Sequence, residues 1–209
     1  MLTTLDHMLG TQAKVRLLRA LAALTSPVSG REAQRLARVR SVSGAGRALA
    51  DLTDLGILSR DETSGSHLYR VNRSHALAPY ILALFDAEEM QWGILREALA
   101  EGLRAADLAE AVCSVVIFGS TARGDAHPGS DLDLLVIVKD ADDVGSVRRA
   151  ILAVDPALRE RLGLRASPYV LARADAAART SDGDPLMAAV RTEGRTLLGD
   201  SFAEVLAAW

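Results

Sequence analysis

The chain has 209 residues, 49% of them hydrophobic and 24% charged, with a formal net charge of −3. That balance excludes a disordered protein, and the length accommodates two modest domains with cores of their own. Cys113 is the only cysteine, which excludes a disulfide framework and a cysteine-based zinc site and fits a small core residue.

The N-terminal MLTTLDHMLG lacks a basic region followed by an apolar one, so no signal peptide is expected. No apolar run approaches membrane-spanning length, so a soluble, cytoplasmic protein is expected. Thr11 to Leu24 is apolar at helical spacing and is broken by Ser26-Pro27. Ser29-Gly30-Arg31-Glu32 is a capping box and predicts a second helix to about Arg38. Ser43 is placed to cap a third helix through Leu55, with Gly56 as its closing glycine. Ile57 to Arg60, a polar Asp61 to Ser66, and His67 to Val71 read as a β-hairpin.

Three helices and a hairpin make a winged helix-turn-helix over residues 1–75. The stretch LADLTDLGILSRDETSGSHLYRVN resembles the recognition helix and wing of bacterial winged-helix transcriptional regulators. The resemblance implies transcription regulation with double-stranded DNA as partner. The third helix would enter the major groove with Arg40, Ser41, Ser43 and Arg47 nearest the bases. Arg60, His67, Arg70 and Arg73 would lie on or near the wing, against phosphate. Residues 1–75 carry eleven Lys/Arg against six Asp/Glu, and the remainder thirteen against twenty-one. A basic head on an acidic body points to a polyanion. The alternative is a protein-binding module whose arginines are merely solvated.

Residues 76–104 form a connector. Pro79 suits the first turn of a helix over 78–103. Ile81, Phe85, Trp92, Leu95, Leu99 and Leu103 recur at near-heptad spacing, interrupted at Glu88. Such a stripe predicts either a homodimer through 78–103 or packing on the chain's own domains.

The C-terminal part, 105–209, opens with VVIFGSTARGDAHPGSDLDLLVIV from Val115 to Val138. VVIF and LLVIV are short, β-branched runs bounded by Gly, Pro and Ser, and read as buried strands. Alternation puts Asp131 and Asp133 on one face, with Leu132 and Leu134 on the other. Two carboxylates on one face repel unless a cation sits between them, and hard oxygen donors suit Mg²⁺. Gly119 allows close backbone approach and the Ser120 hydroxyl adds a hydrogen bond. A short helix from Thr121 to Gly124 would offer N–H groups to phosphate.

GSTARGDAHPGSDLDLLV resembles the signature of the DNA polymerase β-type nucleotidyltransferases, and within them the minimal nucleotidyltransferase group. Gly119, Ser120, Ala122, Arg123, Gly124, Ser130, Asp131, Asp133 and Leu134 carry the match. The resemblance implies metal ligation and catalysis by Asp131 and Asp133, and nucleotide binding by Gly119, Ser120, Arg123 and Ser130. It implies Mg²⁺ or Mn²⁺ as cofactor and a nucleoside triphosphate, with ATP placed first. The expected fold class is α+β: winged helix-turn-helix, long connecting helix, and polymerase β-like α/β domain with a small mixed sheet.

Asp142 to Leu162 reads as a helix over the sheet, Leu164 to Ala172 as a third strand, and Pro185 to Glu193 as a helix. Gly194 to Gly199 resembles the glycine-ended closing segment of minimal nucleotidyltransferase domains. In the family a third carboxylate stands on the strand after the crossover helix. Here that strand is LRASPYVLA and holds no acid, and Ser167 or Tyr169 stands in its place. Asp155 precedes that strand and Asp175 follows it. The expected function is a DNA-binding regulator whose nucleotidyltransferase-like domain binds a triphosphate with Mg²⁺ and transfers weakly or not at all. The alternatives are an active nucleotidyl (adenylyl) transferase acting on a protein or small molecule, and an antitoxin-like partner of a helical toxin that represses its own promoter.

Overall fold

The computed structural model describes residues 4–63, 65–127 and 129–207. The chain divides into two units, one up to Glu89 and one from Met90 onward. The first contains α1 (Thr4–Met8), α2 (Gln12–Ala22), β1 (Val28–Ser29), α3 (Gly30–Leu36), α4 (Val42–Asp54), β2 (Leu58–Thr63) and β3 (Ser66–Val71). Its strands lie in the order β1-β3-β2, all antiparallel.

Leu17 and Leu21 of α2, Leu49 and Leu52 of α4, and Leu58 and Val71 of the hairpin share one buried cluster. The capping box half-forms. Ser29 Oγ accepts the Glu32 N–H at 3.2 Å, but the Glu32 carboxylate turns to Arg35 instead of back to the cap. The third helix begins earlier than expected, and Ser41, not Ser43, caps it. Ser41 Oγ accepts the Gly44 N–H at 3.0 Å from an extended backbone (φ −84°, ψ 115°). Ser43 already lies inside the helix, where it cannot serve as a cap. Gly56, at φ +71°, closes the helix in the left-handed conformation.

Helix α5 runs from Ala78 to Ala105. Its apolar stripe is consumed within the chain's own cores. Phe85 packs with Leu5 and Val15, whereas Trp92, Leu95, Leu99 and Leu103 belong to the main core of the second unit. Of the two readings of this stripe, packing on the chain's own cores accounts for Phe85, Trp92, Leu95, Leu99 and Leu103, which are buried, and for part of Ile81. Glu88, which interrupts the stripe, is buried too. Its carboxylate accepts from Arg19 Nε at 2.6 Å and from the Leu5 N–H at 3.3 Å.

The second unit continues with β4 (Val112–Ile117), α6 (Gly119–Arg123), β5 (Asp131–Val138), α7 (Val144–Ala153), α8 (Asp155–Leu162), β6 (Arg165–Ala172), α9 (Arg173–Ser181), α10 (Pro185–Glu193), β7 (Arg195–Gly199) and α11 (Phe202–Ala207). The sheet order is β6-β5-β4-β7, with β5 and β6 parallel and the other pairs antiparallel. This is the small mixed sheet of an α+β unit. Leu132, Leu134, Val136 and Val138 are fully buried on one face, with Val147, Ile151 and Leu158 of α7 and α8. Each such side chain contributes roughly 1.5–3 kcal/mol on burial. Leu135 and Ile137 face the other way, with Ala176, Met187, Val190 and Phe202.

The stretch expected as one helix from Asp142 to Leu162 forms two, because Pro156 can sit only in a first turn and α8 starts anew around it. Gly199 lies at φ +71° where a Cβ would collide with the Cys113 carbonyl, so the closing segment needs glycine there. No helix among the described residues is long and apolar enough to cross a membrane.

Candidate functional site

The site forms where β4 ends beside the start of β5. The Phe118 N–H donates to the Asp133 carbonyl at 3.1 Å, holding the turn against the strand. Gly119 follows at φ +70°, and a Cβ there would lie 2.5 Å from Asp133 Oδ2. The backbone and the carboxylate thus share space that only glycine leaves open. The short helix begins at Gly119, two residues before the expected start, and Gly124 closes it at φ +76°. Ser120 lies in its first turn, and the Asp125 N–H donates to the Ser120 carbonyl at 3.0 Å.

Asp131 is exposed and Asp133 half-buried, on the face opposite the buried Leu132 and Leu134. Burial pushes the Asp133 carboxyl above the usual carboxylate range, the negative charge of Asp131 pushes it further, and Arg123 opposes both. An anionic pair so placed is stabilised by a cation, and its hard oxygens fit Mg²⁺ with remaining coordination from water and phosphate. The donors fit one such ion. Among the described residues no group of three His, Cys, Asp or Glu side chains is placed to hold a metal.

The parallel register of β5 and β6 sets what faces the pair. Asp131 aligns with Arg165, Asp133 with Ser167, and Leu135 with Tyr169. Arg165 Nε lies 3.8 Å from Asp131 Oδ1. The Tyr169 hydroxyl accepts from Arg179 Nη1 at 2.6 Å, which leaves Ser167 as the neutral neighbour of Asp133. Neither nearby acid substitutes for the absent carboxylate. Asp155 is occupied by the Ala166 N–H at 2.8 Å and Arg159 Nε at 2.6 Å, and Asp175 is exposed on α9.

Arg123 donates to Glu193 Oε1 at 2.7 Å through Nη1, and its Nε lies 3.4 Å from Asp125 Oδ2. Ser130 fastens the loop before β5: its Oγ accepts the His127 N–H at 2.9 Å, and its own N–H donates to the His127 carbonyl. Pro128 of that loop lies outside the described residues. Sequence reasoning missed two participants. Arg165 was legible, because alternation along LRASPYVLA puts Arg165 and Ser167 on one face. Glu193 reaches Arg123 across 70 residues and gave no local signal.

In the N-terminal unit, Arg40, Ser41, Ser43 and Arg47 are exposed at or near the start of α4. The hairpin residues lie beside acids of the same hairpin. Arg60 lies 3.6 Å from Glu62, His67 3.8 Å from Glu62, and Arg70 3.6 Å from Asp61. Arg73 donates to the Ala22 carbonyl at 3.1 Å. Ser64 at the hairpin tip lies outside the described residues.

Residues 97–167 match the family model described as "Nucleotidyltransferase domain". The matched stretch lies within the second unit and contains both aspartates, the Gly119-Ser120 turn and the β6 positions up to Ser167. The comparison with curated proteins gives no match. Among solved structures, a toxin–antitoxin with AMP-PNP is 20% identical, covering 54% of this chain and 81% of that one, at a TM-score of 0.35. A mutant of the toxin–antitoxin MntA–HpeT aligns with the same identity, coverage and TM-score. Human N-acetylserotonin methyltransferase in complex with SAM aligns at 20% identity over 43% of this chain and 29% of that one, at 0.28.

Proposed function

We propose that this chain is a DNA-binding regulator whose nucleotidyltransferase domain binds a nucleoside triphosphate with Mg²⁺ and transfers it weakly or not at all. Asp131 and Asp133 would hold the cation, which when bound neutralises phosphate charge. Gly119 and Ser120 bring backbone and hydroxyl close to the triphosphate, Arg123 supplies a guanidinium, and Ser130 fixes the loop. The observation that carries the reading is the β5–β6 register: Arg165 and Ser167 stand beside the aspartates where a further carboxylate would be needed. An attacking hydroxyl then has no acidic side chain on β6 to take its proton, and losing a general base alone costs about 10²- to 10⁴-fold.

The test is incubation of the full chain with labelled ATP, CTP, GTP and UTP plus Mg²⁺, with binding and products measured separately. Mg²⁺-dependent retention of a triphosphate with little product is expected, and it should vanish in Asp131→Ala with Asp133→Ala. Rapid turnover would replace this reading with an active transferase. Gain of transfer in Ser167→Asp, but not in Tyr169→Asp, would locate the missing group.

The DNA half of the proposal is supported by the order helix, strand, helix, helix, hairpin, which is the order of winged-helix DNA-binding domains, and by the basic balance of residues 1–75. Arg40 and Arg47 are the exposed cations at the helix start where bases would be read. Affinity of the full chain for its promoter duplex should fall steeply with salt. Arg47→Ala should relax sequence preference, whereas Arg70→Ala should weaken binding to all duplexes alike. Absence of salt-sensitive binding to any duplex would leave the unit as a protein-binding module.

A further inference from the structure

We propose that Arg165 is a fixed cation of the nucleotide site, standing where a second metal ion would otherwise sit, so that the site loads one divalent ion with each triphosphate. This rests on the reading of Asp131 and Asp133 as the metal pair.

Three observations lead here. The parallel register aligns Arg165 with Asp131, and the guanidinium Nε lies 3.8 Å from Asp131 Oδ1. The side chain is 66% exposed, so beyond its contact with Asp131 its N–H groups remain accessible to phosphate oxygens. The strand position that could hold a third carboxylate is Ser167, next to Asp133, and it contributes no charge. A second divalent ion entering beside Asp131 would therefore meet a permanent positive charge at ion-pair distance and find no ligand of its own.

Arg165 also lies within electrostatic reach of Asp155, whose carboxylate it helps keep ionised. Asp155 already accepts hydrogen bonds from Ala166 and Arg159, so it is not a competing home for the guanidinium. The consequence is a site of fixed composition: two carboxylates, one guanidinium and one exchangeable cation. Arg165 is a binding and positioning residue in this scheme. Its guanidinium holds the triphosphate in register but, unlike a metal ion, cannot lower the pKa of an attacking hydroxyl by coordinating it.

The experiment is equilibrium dialysis of the full chain against Mn²⁺ and a saturating non-hydrolysable ATP analogue, with protein-bound Mn²⁺ taken as the excess of total Mn²⁺ on the protein side over the protein-free side. Wild type should bind one Mn²⁺ per chain. Arg165→Glu, which replaces the fixed cation by a third carboxylate, should bind two. Arg165→Gln should still bind one, several-fold more tightly, because the repulsion is gone. The high exposure of Arg165 makes folding of both variants the expectation, and thermal melts verify it. Two Mn²⁺ bound to wild type, or a folded Arg165→Glu that stays at one, overturns the proposal. The underlying reading fails separately: Mn²⁺–nucleotide binding unchanged in Asp131→Ala with Asp133→Ala removes the site itself, whatever Arg165 does.

Discussion

Asp6 and Glu88 in the N-terminal unit are buried, and Arg19 answers both. Its Nη2 lies 2.7 Å from Asp6 Oδ1, its Nε 2.6 Å from Glu88 Oε2, and Arg16 adds a contact to Asp6 at 2.6 Å. The Arg19 guanidinium also covers the Phe85 ring at 5.5 Å. In the second unit Asp133 is also withdrawn from water, yet its charged neighbour on the same strand is another carboxylate, Asp131. The contrast separates two uses of an acid. A carboxylate that folding places against a guanidinium is scaffold, and its removal from the pair is paid in stability. One that folding places against a like charge is disfavoured until a cation arrives, which is what the proposed metal pair requires.

The largest effect should follow from breaking the scaffold cluster. Arg19→Met leaves Glu88 buried without its guanidinium and Asp6 with Arg16 alone, and should destabilise the N-terminal unit by about 3–5 kcal/mol. Urea denaturation of the full chain would show it as an earlier transition, with the transition of the second unit unmoved. A loss under about 1 kcal/mol would mean the cluster is wetter than its geometry indicates. Next comes Gly119→Ala, which combines a left-handed backbone with a methyl 2.5 Å from Asp133 Oδ2. It should cost about 1–3 kcal/mol and abolish Mg²⁺-dependent nucleotide binding by displacing the carboxylate.

How these two regions stood in the sequence explains what could be read. The Asp131/Asp133 face was legible because strand alternation is strict, and the glycine–serine turn was legible because it ends a β-branched apolar run. Leu132 and Leu134 follow from the same alternation. The stripe on α5 was legible as a stripe, but its destination was not. Whether Trp92 and Leu95 meet a twin helix or the chain's own sheet depends on packing that local pattern does not encode. Glu88 looked like a flaw in that stripe, and only the fold supplies Arg19, 69 residues away. The third-helix cap was misplaced by two residues because Ser41 and Ser43 are chemically equivalent and only the backbone angles separate them. The break at Val154 is written in Pro156, which suits only the first turn of a helix.

Removing charge from the paired aspartates should do the opposite of removing Arg19. Asp131→Asn with Asp133→Asn relieves a repulsion and spares Asp133 the cost of burying a charge, so stability should hold or rise by up to about 1 kcal/mol. Calorimetry should find the Mg²⁺-dependent nucleotide binding gone. A destabilised double variant would erase the distinction drawn between scaffold and site. In the wild type, binding should weaken on acidification at a pH above that of an ordinary carboxylate, because the Asp133 carboxyl takes up its proton early.

Asp155 tests the scaffold class at its weakest. The Ala166 N–H, and then Arg159, hold its carboxyl below the ordinary carboxylate range despite some loss of hydration. Its folded value is therefore below the unfolded one, near 3.9. The ionised form favours the fold, so the contribution is present above that unfolded value and disappears as pH falls through the folded one. Asp155→Asn keeps an oxygen for the Ala166 N–H and loses only the charge. It should melt slightly below wild type at neutral pH, and the two melting curves should converge as the medium is acidified. Nucleotide binding should be unaffected, since both Asp155 oxygens are already committed to Ala166 and Arg159. A gap that persists at low pH would show that Asp155 acts through shape and not charge. A fall in nucleotide affinity would move it from the scaffold to the site.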